Sequence, residues 1–147
     1  MLSGKSVSGI LHLFNKTPAD WYAKKQGTAE TATYGSKYVA ARTATEQIID
    51  NCLSWRYLGV HVKESFMFGD NESVVNSSNI PAGKLHKRHI ALSWHRVRES
   101  IAAKILHFIH IPGAINPSDM LSKHGGINRL GRNYRYCCFG RVIPQIC

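Results

Sequence analysis

Hydrophobic and polar positions alternate over residues 7–14, placing Ile10, His12 and Phe14 on one face of an extended segment. A period of two predicts a β-strand. The polar run Asn15-Lys16-Thr17-Pro18 follows, and residues 19–24 read as a second strand. Strand, short polar turn and strand predict an antiparallel hairpin. The period then lengthens. Tyr34, Tyr38, Ala41, Thr45, Ile48, Cys52 and Trp55 recur at intervals of three and four, the stripe of a long helix with one face in a core. Gly59 is placed to stop it.

Residues 60–63 and 65–68 are a further strand candidate, ending at Gly69-Asp70-Asn71. Residues 71–78 suit a short helix and residues 80–83 a loop. A second long helix is expected from about Leu85 to Ala103, with Ile90, Trp94, Val97, Ile101 and Ile105 on its stripe. Residues 104–111 are a nearly unbroken apolar run, the pattern of a strand covered on both faces, and Pro112-Gly113 ends it. Asn116-Pro117-Ser118-Asp119 offers an N-cap residue, Pro at N1 and an acid at N3. This predicts a last helix running to His124 and stopping at Gly125-Gly126. The order strand, strand, helix, strand, short helix, helix, strand, helix predicts an α/β domain on a mixed sheet. Residues 1–124 carry this pattern. Residues 125–147 show neither period and are expected to be a separate, poorly ordered basic tail.

Composition sharpens this reading. With 147 residues, 44% of them hydrophobic, the chain can bury one substantial core. No stretch approaches the ~20 apolar residues of a membrane helix. Of the four cysteines, Cys137, Cys138 and Cys147 crowd into the final eleven positions; a disulfide framework spaces them through the chain, so an intracellular, reducing setting is expected. The 19 Lys and Arg against 9 Asp and Glu give a net charge of +10, which points to a polyanionic partner. The charge is unevenly spread. Residues 125–147 hold four Arg and no acid, and Lys84, Lys87, Arg88, Arg96, Arg98 and Lys104 face Glu99 alone over residues 84–104. With His95 among them, such a helix would grip phosphates without reading sequence; a solvated polar face is the plain alternative.

Two acids stand out by position. Asp70 lies where a strand gives way to a helix, the place where α/β sheets present functional groups. Asp119 lies in the first turn of the last helix, where the dipole alone would favour an acid. Brought together, two carboxylates could hold Mg²⁺, although a two-metal phosphodiesterase site normally uses three or four. His86/His89 and His107/His110 have a three-residue spacing, but on a strand that spacing sends the second pair to opposite faces. No nearby cysteine completes a zinc set.

Seven segments occur in one order: Lys-Ser-Val-Ser-Gly at 5–9, Thr-Pro-Ala-Asp-Trp-Tyr at 17–22, Glu-Thr-Ala-Thr-Tyr-Gly-Ser at 30–36, Met-Phe-Gly-Asp-Asn-Glu-Ser-Val-Val at 67–75, Lys-Leu-His-Lys-Arg-His at 84–89, His-Arg-Val-Arg-Glu at 95–99 and Ser-Asp-Met-Leu-Ser-Lys-His at 118–124. Together they resemble the ribonuclease H domain of copia-type LTR-retrotransposon Pol polyproteins, over roughly residues 4–124. The resemblance implies an enzyme covalently linked to a reverse transcriptase, cleaving the RNA strand of RNA–DNA hybrids with two Mg²⁺ ions held by Asp, Glu, Asp and Asp. The third position falls on Asp70 and the fourth on Asp119. The Glu position falls on Lys37, in Gly35-Ser36-Lys37. The first Asp has no counterpart, because the chain begins after the strand that carries it. The expectation is a ribonuclease H-like fold without its first, central strand, a gap in the sheet, and an inactive copy. The alternative is a non-catalytic nucleic-acid-binding domain using residues 84–104.

Overall fold

A computed structural model describes residues 6–27, 33–85 and 88–122. Strands β1 (Val7–Phe14) and β2 (Thr17–Lys25) form an antiparallel hairpin. Its two-residue loop, Asn15 and Lys16, has φ of 48° and 71°. Positive φ at both positions marks a type I′ turn, whose twist matches the flanking strands. Pairing shifts between His12, opposite Asp20, and Leu13, opposite Pro18. Ala19 is left as a bulge, and Pro18 is accommodated because β2 is an edge strand.

Helix α1 (Thr33–Tyr57) buries Tyr38, Ala41, Thr45 and Ile48, with Tyr34, Cys52 and Trp55 half-buried on the same stripe. It ends as Gly59 at φ 80° donates to the Arg56 carbonyl and Val60 to that of Trp55, the paired closing bonds a left-handed glycine permits. The Phe14 ring packs 4.8 Å from that of Trp55, fastening the hairpin to α1. Strand β3 (Phe66–Gly69) leads into α2 (Glu72–Asn79), whose first turn is capped by Asn71 Oδ1 accepting from the Val74 N–H at 3.1 Å. Helix α3 (Ala91–Ala102) and strand β4 (His107–His110) follow, then a 3₁₀ turn (Gly113–Ile115) and the single-turn α4 (Asp119–Ser122). The core joins Ile10 of β1, Tyr38, Ala44 and Ile48 of α1, Met67, Val74 and Val75, Trp94 and Val97 of α3, Leu106 and Phe108.

The sheet is interrupted. Among the described residues, β1 pairs with β2 and β3 pairs in parallel with β4, making two separate two-stranded sheets that share α1. This is the expected α/β class, with the expected gap between the hairpin and β3. Three expectations need correction. Residues 60–65 form no strand: Val60 closes α1 by donating to the Trp55 carbonyl, and the Ser65 carbonyl accepts from the His107 N–H at 2.8 Å just ahead of the ladder, which begins at Phe66. The apolar run 104–111 pairs only over the four residues that β3 offers, Phe66↔His107 to Gly69↔His110. Nor is it covered on both faces: Phe108 is buried, whereas Ile109 is 39% exposed and His107 and His110 face solvent. The second long helix begins at Ala91 rather than near Leu85, after a 3₁₀ turn at Arg88–Ile90. The proposed tail, residues 125–147, lies outside the described residues, as does the end of the expected last helix.

Candidate functional site

Lys37 sits in the second turn of α1, and Asp70 directly follows β3. The shared packing of α1 and β3 brings these residues together from 33 positions apart. Lys37 Nζ donates to both carboxylate oxygens of Asp70, at 2.7 and 2.8 Å. The side chains are 38% and 20% exposed, so Asp70 is largely withdrawn from water and the ammonium is its principal counter-charge. Gly113, in the 3₁₀ turn, closes over Asp70: a Cβ there would lie 3.7 Å from the Asp70 Cβ.

Asp119 opens α4. Asn116 organises this turn, its Oδ1 accepting from the Ser118 backbone N–H at 3.1 Å and the Ser118 hydroxyl at 2.8 Å. The helix start read from Asn-Pro-Ser-Asp is therefore real, with the cap at Asn116 and the helix proper from Asp119. Lys37, Asp70 and Asp119 all line one open groove. Its walls are residues 7–12 of β1 and 66–70, and its floor is Ala40, Ala41, Ala44 and Ile48 of α1. His12, 2% exposed, reaches across to α1, with Nε2 2.9 Å from Gln47 Oε1.

This donor set does not fit a pair of divalent cations. Two-metal hydrolysis wants three or four carboxylates around two ions ~3.5–4 Å apart. Here a fixed ammonium occupies both oxygens of one carboxylate, and among the described residues no three His, Cys, Asp or Glu side chains converge. Lys37 supplies within the chain the positive charge that a metal would bring to Asp70.

Among the described residues, no basic residue of 84–104 lines the groove. Lys84, Arg88 and His95 are exposed; Arg96 is half-exposed and lies 3.5 Å from Glu99. Lys87 lies outside the described residues. Arg98, also expected to face phosphates, is engaged within the fold. Its guanidinium donates to the carbonyls of Ser77 (3.0 Å), Ile80 (2.7 Å) and Pro81 (2.7 Å), and its charge sits 4.4 Å from the Trp94 ring centroid. Gly83 makes room for this, since a Cβ there would lie 2.8 Å from Arg98 Nη1. Arg98 thus closes the C-terminal end of α2. The four-residue spacing of Trp94 and Arg98 is the sequence signal for the ring contact.

Two further networks were not read from the sequence. The Tyr38 hydroxyl, fully buried, donates to the Val74 carbonyl at 3.1 Å and lies 2.6 and 2.8 Å from the Ser77 and Ser78 hydroxyls. Burial pushes this phenol above its ordinary value of 10; the serine hydrogen bonds oppose the shift and Tyr34 adds to it. At the other end of the short parallel sheet, Arg56, His61, Lys63 and Lys104 line a second hollow that, among the described residues, no carboxylate shares.

The chain is similar to the "Retrovirus-related Pol polyprotein from transposon TNT 1-94" of Nicotiana tabacum, with 29% identity over 119 residues, 81% of this chain and 9% of that polyprotein. The likeness supports an origin in a retrotransposon Pol polyprotein. The chain spans less than a tenth of that relative's length. No protein-family profile matches the chain, and no solved structure matches it. Among the described residues, no helix is long and apolar enough to cross a membrane.

Proposed function

We propose that this chain is a ribonuclease H-type domain of a retrotransposon polyprotein that has exchanged cleavage for binding. In this reading it holds an RNA–DNA hybrid and leaves the RNA strand intact. One observation carries it: the Lys37 ammonium on both oxygens of Asp70, at the position where the family resemblance calls for a carboxylate. A carboxylate at position 37 would add negative charge to Asp70 and Asp119 and draw a hard divalent cation. An ammonium there neutralises Asp70 and repels that cation. Asp70 accordingly acts as a structural anion, joining the start of α1 to the end of β3.

Binding rests on a separate surface. Lys84, Arg88 and Arg96, with His95 between them, present exposed positive charge. A hybrid displays the same phosphate charge whatever its sequence, so the grip would be sequence-independent and salt-sensitive. In the polyprotein the neighbouring partner would be the reverse transcriptase. The test is fluorescence anisotropy of a labelled RNA–DNA hybrid in Mg²⁺ buffer, with the RNA resolved afterwards on a denaturing gel. The expected outcome is binding with a logarithmic salt slope of about −2 to −3, the value for two or three phosphates, and uncut RNA. Arg88→Ala with Arg96→Ala should flatten that slope, whereas Arg98→Ala should not. Binding no tighter than that of a basic control peptide would overturn the binding role, and Mg²⁺-dependent cutting would overturn the loss of cleavage.

A further inference from the structure

The second hollow lies at the end of the parallel sheet remote from the Lys37–Asp70 pair. Ser65, just ahead of β3, lines the hollow, whereas Asp70, just past β3, lines the groove. Extended chain at ~3.3 Å per residue separates the two by roughly 16 Å. Three elements converge on the hollow: the last turns of α1 bring Cys52 and Arg56, the connection to β3 brings His61, Lys63 and Ser65, and the turn after α3 brings Lys104. Among the described residues no carboxylate lines it, and Glu64, the nearest acid in sequence, is exposed. None of the four basic side chains makes an ion pair or side-chain hydrogen bond with another described residue.

Helix ends alone do not account for this cluster. The dipole favours a cation near a helix C-terminus, which covers Arg56 and Lys104 but not His61 and Lys63. The closing carbonyls are in any case already bonded. Those of Ser54, Trp55 and Arg56 accept from the N–H groups of Leu58, Val60 and Gly59, and those of Glu99, Ser100 and Ile101 from Ala103, Ile105 and Lys104. Lys104 itself stands at φ 55°, where glycine would be the unstrained choice. A charged side chain carried on strained backbone points to a use for the charge. The Ser65 hydroxyl, 1% exposed, has the Cys52 sulfur 3.4 Å away as its side-chain partner among the described residues. Sulfur bonds weakly, so this hydroxyl is open to a stronger oxygen acceptor.

We propose that the hollow is a diphosphate-binding site, taking either free diphosphate or the terminal diphosphate of a nucleotide. A cleft lined by one sign of charge concentrates counter-ions. Arg56, Lys63 and Lys104 bring three permanent positive charges. One phosphate group bears about −1.5 to −2 at neutral pH, so a single phosphate leaves the cluster undercompensated, and two linked phosphates, at about −3, match it. The Arg56 fork can hold two oxygens of one phosphate, with Lys63 and Lys104 as point charges for the other. His61 and Ser65 add neutral donors. A hollow built from the ends of three elements suits a compact anion. A rigid duplex would instead lie across side chains that stand out from the surface, as the exposed Arg88 does. This site goes beyond the hybrid-binding reading and does not depend on it.

The experiment titrates sodium diphosphate into the isotope-labelled full chain, in metal-free buffer at fixed ionic strength, and follows amide shifts. Saturable one-to-one binding is expected, with the largest shifts at Arg56, His61, Lys63 and Lys104 and none at Lys37 or Asp70. Orthophosphate should bind about tenfold more weakly, since it brings half the charge. Lys104→Gly removes one ammonium while relaxing the backbone, so it should bind diphosphate about five- to tenfold more weakly although its melting temperature rises. Lys63→Ala should weaken binding similarly, whereas Lys63→Arg should keep it. Adenosine diphosphate separates the two sources: tighter binding than free diphosphate assigns a nucleotide, and equal or weaker binding assigns diphosphate alone. No saturable binding, equal affinity for orthophosphate, or unchanged affinity in both Lys104→Gly and Lys63→Ala would overturn the proposal. Shifts centred on Arg88 and Arg96 would overturn it by placing the anion on the other basic surface. Displacement of diphosphate by an RNA–DNA hybrid would do so by making the hollow part of the nucleic-acid surface.

Discussion

Removing the Lys37 ammonium tests how α1 is held to β3. Exposed ion pairs contribute ~0.2–1 kcal/mol, and hydrogen bonds to charged groups ~1.5–3 kcal/mol where water is excluded. Lys37 Nζ meets both Asp70 oxygens at 2.7 and 2.8 Å, but its side chain is 38% exposed against 20% for Asp70. Solvent screening at the lysine places the coupling between those limits, at about 1–1.5 kcal/mol. The two single variants should differ. Lys37→Met strands a largely covered carboxylate and should cost about 1.5–2.5 kcal/mol. Asp70→Asn leaves an ammonium that can turn to water and should cost about 1 kcal/mol. Urea unfolding followed by far-UV circular dichroism, on the four proteins of the double-mutant cycle, gives the coupling directly. One kcal/mol corresponds to about 4 °C in melting temperature. Raising salt should weaken the coupling without abolishing it, because the atoms touch well inside the Debye length. Coupling below about 0.5 kcal/mol, the ordinary limit of additivity, would refute this picture of the pair.

Other expectations follow from single contacts. Tyr38→Phe removes a buried hydroxyl bonded to Val74 and near Ser77 and Ser78, and should cost about 1–2 kcal/mol in urea unfolding. Because burial raises the Tyr38 pKa, the neutral phenol favours folding. That contribution is whole below pH 10 and is lost as pH rises through the higher folded value, so wild type should lose stability in alkali more steeply than Tyr38→Phe. Gly69→Ala would put a Cβ 2.9 Å from the Phe108 ring, and melting should report about 1–3 kcal/mol of destabilisation from overpacking. Lys104, at φ 55°, closes α3 in the left-handed position that glycine favours; Lys104→Gly should stabilise by about 0.5–1 kcal/mol, read as a rise in melting temperature.

The hairpin and α1 were legible because local rules decide them, alternation about a polar turn and a stripe of period 3.6 stopped by Gly59, but Thr17 and Pro18, read as turn, already belong to β2 because Asn15 and Lys16 alone reverse the chain. The fourth strand was legible in kind but not in extent. Residues 104–106 are as apolar as a strand, yet Lys104 turns the chain out of α3 and β3 offers only four partners. A strand's length is a property of the pair. Residues 60–65 likewise stay outside the ladder, although the Ser65 carbonyl accepts from the His107 N–H at its edge. At the site, the family resemblance marked Lys37, Asp70 and Asp119 as counterparts, and all three line one groove. Distance was the missing part, since a bidentate contact between residues 33 apart depends on where α1 and β3 pack. Arg98 was misjudged for a comparable reason. Its charge looked available for phosphate, but the three carbonyls that claim it come from the end of α2 and the loop beyond.

Titration of Mn²⁺ into the isotope-labelled chain decides whether Lys37 has taken the place of a cation beside Asp70. Paramagnetic broadening reports an ion at the residues that hold it. The expected spectrum shows no selective loss of the amide signals of Asp70, Asn71, Ser118 and Asp119 in the wild-type chain, and selective loss once Lys37→Glu removes the ammonium. Selective broadening of those amides in the wild-type chain, at Mn²⁺ concentrations that leave sharp the amide of the exposed Asp50, about 20 Å along α1 from Lys37, would contradict it.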